Sequence, residues 1–376
     1  MTIYALSTGP GVSGLAVIRV SGKDTRVVIN KITGKSVPKP RTAVKRKFNK
    51  INDNQLIDEG ILLWFPGPAS YTGEDMAEFH VHGSRAVINE IQNSLSQISN
   101  LRLAEAGEFT KLAFQNGKIN LLRAESVADL ISSETEIQRQ QAINVMSGKS
   151  SDKFNSLRER LLKILSKVEA KIDFPEDDLP DDILLNIHSE VKSIREEIKK
   201  ILNDQKVGER IREGFKISIV GPTNVGKSSL LNYLSKRDVA IVSEIAGTTR
   251  DIIETHLNLD GYPVVISDTA GIRVSKNEIE KKGIKLALKK AENADLNIIV
   301  IEPKSIDFTD FFNDKISKKA ILVINKMDLG IDQISNEIKK YDPVYISVKE
   351  KKNLDKLISL IKKNLKNKFI SSEDIY

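Results

Sequence analysis

The chain has 376 residues, too many for one hydrophobic core, so two or three domains are expected. Hydrophobic residues make up 40% and charges of both signs are mixed; no apolar run is long enough to span a bilayer and no signal segment opens the chain, which reads as a cytoplasmic protein without membrane contact. The absence of cysteine excludes a disulfide scaffold and thiolate metal sites, while the net charge of +7 is compatible with nucleic acid or simply with a Lys-, Ile- and Asn-rich genome.

Residues 1–118 mix strand and helix signals. Ile3–Leu6 and Leu15–Val20 read as strands around the loop Ser7–Gly14, which lacks a Gly-Lys-Ser ending and reads as a wide turn. Gly60–Phe65 is a further strand closed by Pro66-Gly67-Pro68, and Tyr71-Thr72-Gly73-Glu74-Asp75 is turn chemistry before the alternating strand Ala77–Val81. Val87, Ile88, Ile91, Leu95 and Ile98 then recur at helical spacing. His80 and His82 would share one side of their strand; without an evident third ligand, surface or packing roles outweigh zinc. Residues 31–50 carry eight basic side chains and no acid, which reads either as an RNA-facing patch or as a solvated loop, with Phe48 the one aromatic able to stack on a base.

From about Ile119 to Arg212 the period becomes helical. Leu121–Ile131 suggests one helix, Leu157–Ile172 a second ending near Pro175, and Ile187, Val191, Ile194, Ile198 and Ile201 a narrow apolar seam on a third. The acidic stretch from Asp173 to Asp178 between them reads as a solvated connector, and nothing in this region clusters as catalytic.

The module from about Phe215 to Leu365 alternates strands with helices, as a mostly parallel sheet covered on both faces requires. It holds the stretch Gly221-Pro222-Thr223-Asn224-Val225-Gly226-Lys227-Ser228-Ser229, a phosphate-loop pattern between a buried strand and a helix start. Successive backbone N–H groups would face an anion, Lys227 the β- and γ-phosphates, and the Ser228 hydroxyl Mg²⁺. Gly247-Thr248-Thr249-Arg250 offers a switch threonine for the Mg²⁺ shell, and Asp268-Thr269-Ala270-Gly271 offers a carboxylate for a Mg²⁺-bound water and an N–H for the γ-phosphate. In Asn325-Lys326-Met327-Asp328 the carboxylate would accept from guanine N1–H and its exocyclic amine, which adenine cannot offer, and Ser347-Val348-Lys349 would close over the base. The five motifs in order specify a GTP-binding domain. After the Asp268 motif, where Ras-type proteins place a water-orienting glutamine, stands Ile272; either catalysis is absent or another group, such as the nearby Glu280, supplies it.

These stretches also carry a family pattern. The sequence resembles the MnmE (TrmE) family of tRNA uridine-5-carboxymethylaminomethyl modification GTPases through Ile18–Gly22, Tyr71–Asp75, Gly107-Glu108-Phe109-Thr110, Ala113–Lys118, Ile172-Asp173-Phe174-Pro175-Glu176 and the GTPase motifs. The resemblance implies a multidomain α/β and α+β protein: a folate-binding and dimerising α+β domain at 1–118, a helical domain at 119–212, and a P-loop GTPase domain at 213–370 inserted in the helical one. It further implies a homodimer working on tRNA with an FAD-bearing MnmG-type protein, and a one-carbon unit taken from 5-formyl-tetrahydrofolate for wobble uridine. Matched by motif, Arg19, Glu78 and Lys118 would contact the folate. GTP would lie against residues 224–229, Ser243-Glu244-Ile245-Ala246-Gly247-Thr248-Thr249, 268–271, 325–328 and 347–349. K⁺ would be held by Asn224, Ser243, Ile245 and Thr248, Mg²⁺ by Ser228 and Thr249, and Glu280 matches the family's catalytic glutamate.

Two departures accompany the resemblance. Pro10-Gly11-Val12-Ser13-Gly14 stands where the family usually reads P-G-R-G-G, which removes a guanidinium near the folate region. Family members continue into further helices and a Cys-x-Gly-Lys tail, whereas the sequence here ends at Tyr376. On that basis the chain is expected to hydrolyse GTP without supporting modification, with weaker folate binding and a partly exposed helical seam. The competing reading from another class is a ribosome-binding GTP switch, which would not need the N-terminal folate motifs; a nucleotide-binding remnant is the third.

Overall fold

In a computed structural model, residues 1–173, 183–202, 207–237, 240–241, 254–268, 289, 291–303, 319–330 and 336–369 are described. The chain divides into two compact units, Met1–Glu125 and Ser126–Tyr376.

The first unit is built on a six-stranded sheet. Its strands are β1 (Thr2–Leu6), β2 (Ser13–Ser21), β3 (Val44–Asn49), β4 (Leu56–Phe65), β5 (Met76–Gly83) and β6 (Leu101–Leu103), in the order β3-β4-β5-β2-β1-β6. All neighbours are antiparallel except β1 and β6. Period-two alternation sets the two faces. Ala77, Phe79 and Val81 of β5 are buried with Ile18, Val20, Leu62 and Trp64, and Glu78, His80 and His82 fall on the other face. Helices α1 (Thr25–Thr33) and α2 (Arg85–Ser96) each bury an apolar stripe: Val28, Ile29 and Ile32 on one, Ile88, Ile91 and Leu95 on the other. Each such side chain contributes about 1.5–3 kcal/mol of transfer free energy. The Ser84 hydroxyl accepts from the Val87 N–H to start α2. Helix α3 (Glu108–Gln115) ends the motif-bearing part of this unit.

The 31–50 segment is not a loop throughout. β3 occupies Val44–Asn49, and Phe48 is fully buried, edge-on to Phe79 with ring centroids 5.5 Å apart. The expected stacking aromatic therefore belongs to the core, because β3 pairs with β4 and turns its even positions inward.

Helix α4 (Leu121–Ile131) spans the division between the units. In the second unit follow α5 (Glu136–Met146), α6 (Lys149–Asp173), α7 (Ile183–Leu202) and α8 (Val207–Glu213). The sequence reading passed over α5 and α8, whose apolar faces are too short to set a period, although Thr135 and Gln138 form a reciprocal capping box at the start of α5. Helices α6 and α7 are tied by Arg160, which bonds Glu197 at 2.9 Å, Glu190 at 3.4 Å and Ser193 at 3.0 Å. Leu157 and Ile194 are buried between them, while Leu161, Leu165, Val191 and Ile198 are exposed.

A seven-stranded sheet completes this unit: β7 (Phe215–Val220), β8 (Ala240–Ile241), β9 (Glu254–Leu259), β10 (Tyr262–Asp268), β11 (Leu296–Ile301), β12 (Ala320–Ile324) and β13 (Val344–Tyr345). In the order β13-β12-β11-β7-β10-β9-β8, the pairs from β13 to β10 are parallel and those of β9 antiparallel. Parallel strands are covered on both faces and so read as near-continuous apolar runs, as β11 (Leu-Asn-Ile-Ile-Val-Ile) does with every residue buried and Asn297 its one polar member. Helices α9 (Lys227–Arg237), α10 (Asn336–Lys339) and α11 (Leu354–Phe369) accompany it, α11 burying Leu357, Ile358, Ile361 and Leu365. Helix α5 docks on the same unit: Ile137 packs against the sheet's core, Gln138 donates to the Arg212 carbonyl, and Glu134 lies 3.7 Å from His256 of β9.

Candidate nucleotide and folate sites

Strand β7 delivers the chain into the phosphate loop at the carboxyl end of the parallel strands, where open α/β sheets bind ligands. Gly221 enters it with φ 148°, and a Cβ there would stand 2.0 Å from the Val300 carbonyl oxygen of β11. Asn224 turns the loop at φ 64° and is exposed on it. Gly226, at φ 95°, passes so close to Asn325 that a Cβ would lie 2.3 Å from its Nδ2. The loop's curvature thus requires glycine at both positions. Lys227 is buried, and its Nζ donates to the Gly221 and Pro222 carbonyls at 2.8 and 2.6 Å, folding the ammonium back over the loop. Ser228 and Ser229 follow in the first turn of α9.

The base-reading motif follows β12. Asn325 is buried; its Nδ2 donates to the Val225 carbonyl at 2.8 Å, and its Oδ1 accepts from the Val348 N–H at 3.1 Å. Lys326 takes a left-handed φ of 62° and pairs with Glu302 at 2.6 Å. Asp328 accepts from the Ser347 hydroxyl at 2.7 Å. That bond holds its carboxyl below the usual range, with the nearby Lys349 and Lys352 charges adding to it. Met327 donates from its N–H to the Ile346 carbonyl, and Asn353 Nδ2 to that of Tyr345, so the two loops that would grip the base are joined by both main and side chain. The structure therefore brings together Val225, Gly226, Asn325, Asp328, Ser347 and Val348. Glu302 and Asn353 are supporting partners that no motif announced.

Other expected positions lie outside the described residues: 243–249, Thr269, Ala270, Gly271, Ile272 and Glu280. Asp268 ends β10, paired in register with Ile219 of β7, which brings its backbone to the strand next to the phosphate loop.

On the uncovered face of the first sheet, Arg19 of β2 and Glu78 of β5 stand opposite in register and form an ion pair at 2.8 Å. The Arg19 guanidinium lies 5.6 Å from the Tyr71 ring centroid and 5.4 Å from that of Phe109, so two aromatics fix it. Phe109 had been visible only as part of a family motif; its role needs the fold. Tyr71 Oη lies 3.0 Å from Thr110 Oγ1, and Asn116 Nδ2 donates to the Thr72 carbonyl at 2.7 Å. Lys118 is exposed and reaches this same loop, its Cε 3.0 Å from where a Gly73 Cβ would sit, rather than the ion pair itself. Val12 is exposed, and Ser13, the first residue of β2, donates from its Oγ to the Leu15 carbonyl at 2.7 Å. His80 and His82 are divided between carboxylates, His82 Nδ1 lying 2.8 Å from Asp58 and His80 Nε2 3.4 Å from Glu78.

Both parts of the chain match known families. Residues 2–118 match the family described as GTP-binding protein TrmE N-terminus, and residues 121–375 match the MnmE helical domain. The tRNA modification GTPase MnmE of Pelagibacter ubique is 71% identical over 375 residues, covering 100% of this chain and 85% of that protein. The protein of the same name from Rickettsia bellii is 44% identical over 97% of this chain and 83% of its own length. Among solved structures, Aquifex aeolicus Era bound to GDP.AlF4- matches 40% of this chain and 56% of that one at 30% identity, with a TM-score of 0.32, too low to add to the argument. The chain belongs to the MnmE family of tRNA modification GTPases.

Proposed function

We propose that the chain hydrolyses GTP as the nucleotide-driven component of wobble-uridine modification in tRNA. The observation that carries the reading is the buried Asn325 side chain, which bonds the phosphate loop at Val225 and the base-closing loop at Val348 at once. It joins a phosphate cradle to a carboxylate, Asp328, that selects guanine. In this reading residues 1–118 form the folate-binding and dimerising domain, 119–212 the helical domain and 213–370 the inserted GTPase domain.

Ser228 and Thr249 would hold Mg²⁺, and Asn224 with Ser243, Ile245 and Thr248 would hold K⁺. The exposed Asn224 at its left-handed turn suits that cation, because its side-chain amide carries an oxygen able to ligate it. A bound cation there supplies charge neutralisation of the kind an arginine finger gives. Glu280 orients the attacking water in place of the side chain that Ile272 lacks. Arg19, Glu78 and Lys118 bind the polar edge and carboxylates of 5-formyl-tetrahydrofolate. The partners are a second copy of the chain, an FAD-bearing MnmG-type protein and tRNA, in the cytoplasm.

The test is nucleotide turnover by the purified chain at matched Mg²⁺. GTP should be hydrolysed and ATP not, and Lys227→Ala should abolish turnover; equal rates with ATP and GTP would overturn the assignment.

A further inference from the structure

Residues 31–50 hold eight basic side chains and no acid. Taking the eight basic residues of 31–50 from the total of 58 leaves 50 against 51 acids, so the remaining 356 residues are within one charge of neutral.

The fold puts the segment at one border of the first sheet, since β3 is the terminal strand in the order β3-β4-β5-β2-β1-β6. Lys31 lies in the last turn of α1, Lys35, Lys39 and Arg41 in the connection to β3, and Lys45 and Lys47 on the strand, where two residues of rise set them about 7 Å apart. All six are exposed. Among the described residues, only Lys45 (to Glu59, 3.4 Å) and Lys50 (to Glu90, 3.4 Å) of the segment's cations have a carboxylate within 4 Å. Lysines on a terminal strand do block unwanted strand pairing. That purpose needs one or two on β3 and gives no reason for Lys31, Lys35 and Lys39.

We propose that this sheet border is a docking surface for the sugar–phosphate backbone of folded RNA. The choice of RNA over another polyanion rests on the tRNA-modification reading. The border offers charge without base readout, because its one aromatic, Phe48, is sealed in the core. Binding should accordingly be insensitive to sequence and steeply dependent on salt.

The experiment measures binding of labelled tRNA transcript to the full chain by fluorescence anisotropy across a salt series. The variant carries Lys31→Gln, Lys35→Gln, Lys39→Gln and Lys47→Gln. A control carries Lys163→Gln, Lys167→Gln, Lys192→Gln and Lys200→Gln, four exposed lysines of α6 and α7. Thermal melts and GTP turnover without RNA should match the parent in both. The border variant should lose about tenfold or more in affinity near 100 mM salt, and its slope of log Kd on log salt should fall by about three to four, while the control is unchanged. Equal affinity of the border variant and the parent would overturn the proposal, as would an equal loss in the control. If tRNA binding held but binding of polyglutamate weakened, the border would be a protein-docking surface and the proposal would fall. A parent chain that hydrolysed GTP and bound no tRNA would also overturn it, while leaving the GTPase reading in place.

Discussion

Asn325 and Val225, 100 residues apart, are joined by a buried 2.8 Å hydrogen bond from the side-chain amide to the carbonyl of the phosphate loop. The same side chain accepts from the Val348 N–H. Asn325→Ala would leave the buried Val225 carbonyl unpaired, at a cost of about 1–3 kcal/mol, and the part-buried Val348 N–H without its partner. The expected result in urea unfolding is a midpoint lowered by the equivalent of about 2 kcal/mol or more, with loss of the stabilisation that GDP confers on the parent. Gly226→Ala should lose nucleotide binding as well, because its Cβ would meet the same amide at 2.3 Å in a backbone conformation with φ 95°. Unchanged midpoints in both variants would mean that the two loops do not depend on each other.

In the proposed site Asp328 would set base selectivity, because a carboxylate only accepts. Replacing it in Asp328→Asn puts an N–H donor where guanine also donates, whereas xanthine presents a carbonyl at that position. GTP affinity should fall about 100-fold or more and XTP affinity should rise above it. Competition against a fluorescent nucleotide reads both. Ser347→Ala, which removes the 2.7 Å bond holding the carboxylate, should weaken GTP without exchanging the preference.

Local signals carried much of this site and little of its surroundings. The phosphate loop and the base motif are contiguous, so their residue types and spacing were legible. β12 was read with its observed bounds, Ala320–Ile324, because a buried parallel strand shows as an unbroken apolar run. Glu302 and Asn353 gave no signal: a single acid or amide is indistinguishable from surface polarity until the fold sets it beside Lys326 or Tyr345. Phe48 was misjudged because alternation over a strand with lysine at every second position looks like a solvated run. The short α5 and α8 bury only Ala142, Val207 and Ile211, too few for a helical period.

The Ile272 side chain has no group that can hydrogen-bond water, so turnover should depend on the K⁺ proposed beside Asn224. At matched ionic strength, hydrolysis should be fast in KCl and slow in NaCl, and Asn224→Ala should remove the difference. Glu280→Ala should lower kcat about 100-fold or more with nucleotide affinity nearly unchanged, since the role proposed for it lies in the transition state. Equal turnover in the two salts would count against the cation.

Glu108 takes a bidentate grip from Arg102, and the Glu105 N–H donates to it at 2.8 Å. The Arg102 bond is the main reason its pKa is depressed to about 2. A depressed carboxylate adds stability above its unfolded value near 4.5 and gives it up as pH falls through its folded value. The first unit should therefore weaken between about pH 4.5 and 2. Because Arg102 is 39% exposed, screening limits the effect to the order of 1 kcal/mol. Thermal melts from pH 7 to 3 should show a shallower fall for Glu108→Gln than for the parent; parallel curves would assign the acid loss to other groups.

The proposed folate contacts can be separated from folding because Arg19 is held twice, by Glu78 at 2.8 Å and by the faces of Tyr71 and Phe109. In Glu78→Gln the two rings still position the guanidinium, and an amide oxygen still accepts from it, so the melt should stay close to that of the parent. What disappears is a carboxylate able to accept charge-assisted bonds from the N–H groups of a pteridine ring. Calorimetry with 5-formyl-tetrahydrofolate should therefore show affinity reduced about tenfold or more in Glu78→Gln and lost in Glu78→Ala, with GTP turnover retained in both. Lys118→Ala should weaken the same ligand less, because Lys118 is exposed and lies against the Gly73 loop without an ion pair to Glu78. Normal folate binding by Glu78→Ala would remove Glu78 from the site, leaving its ion pair with Arg19 as a support of the sheet face alone.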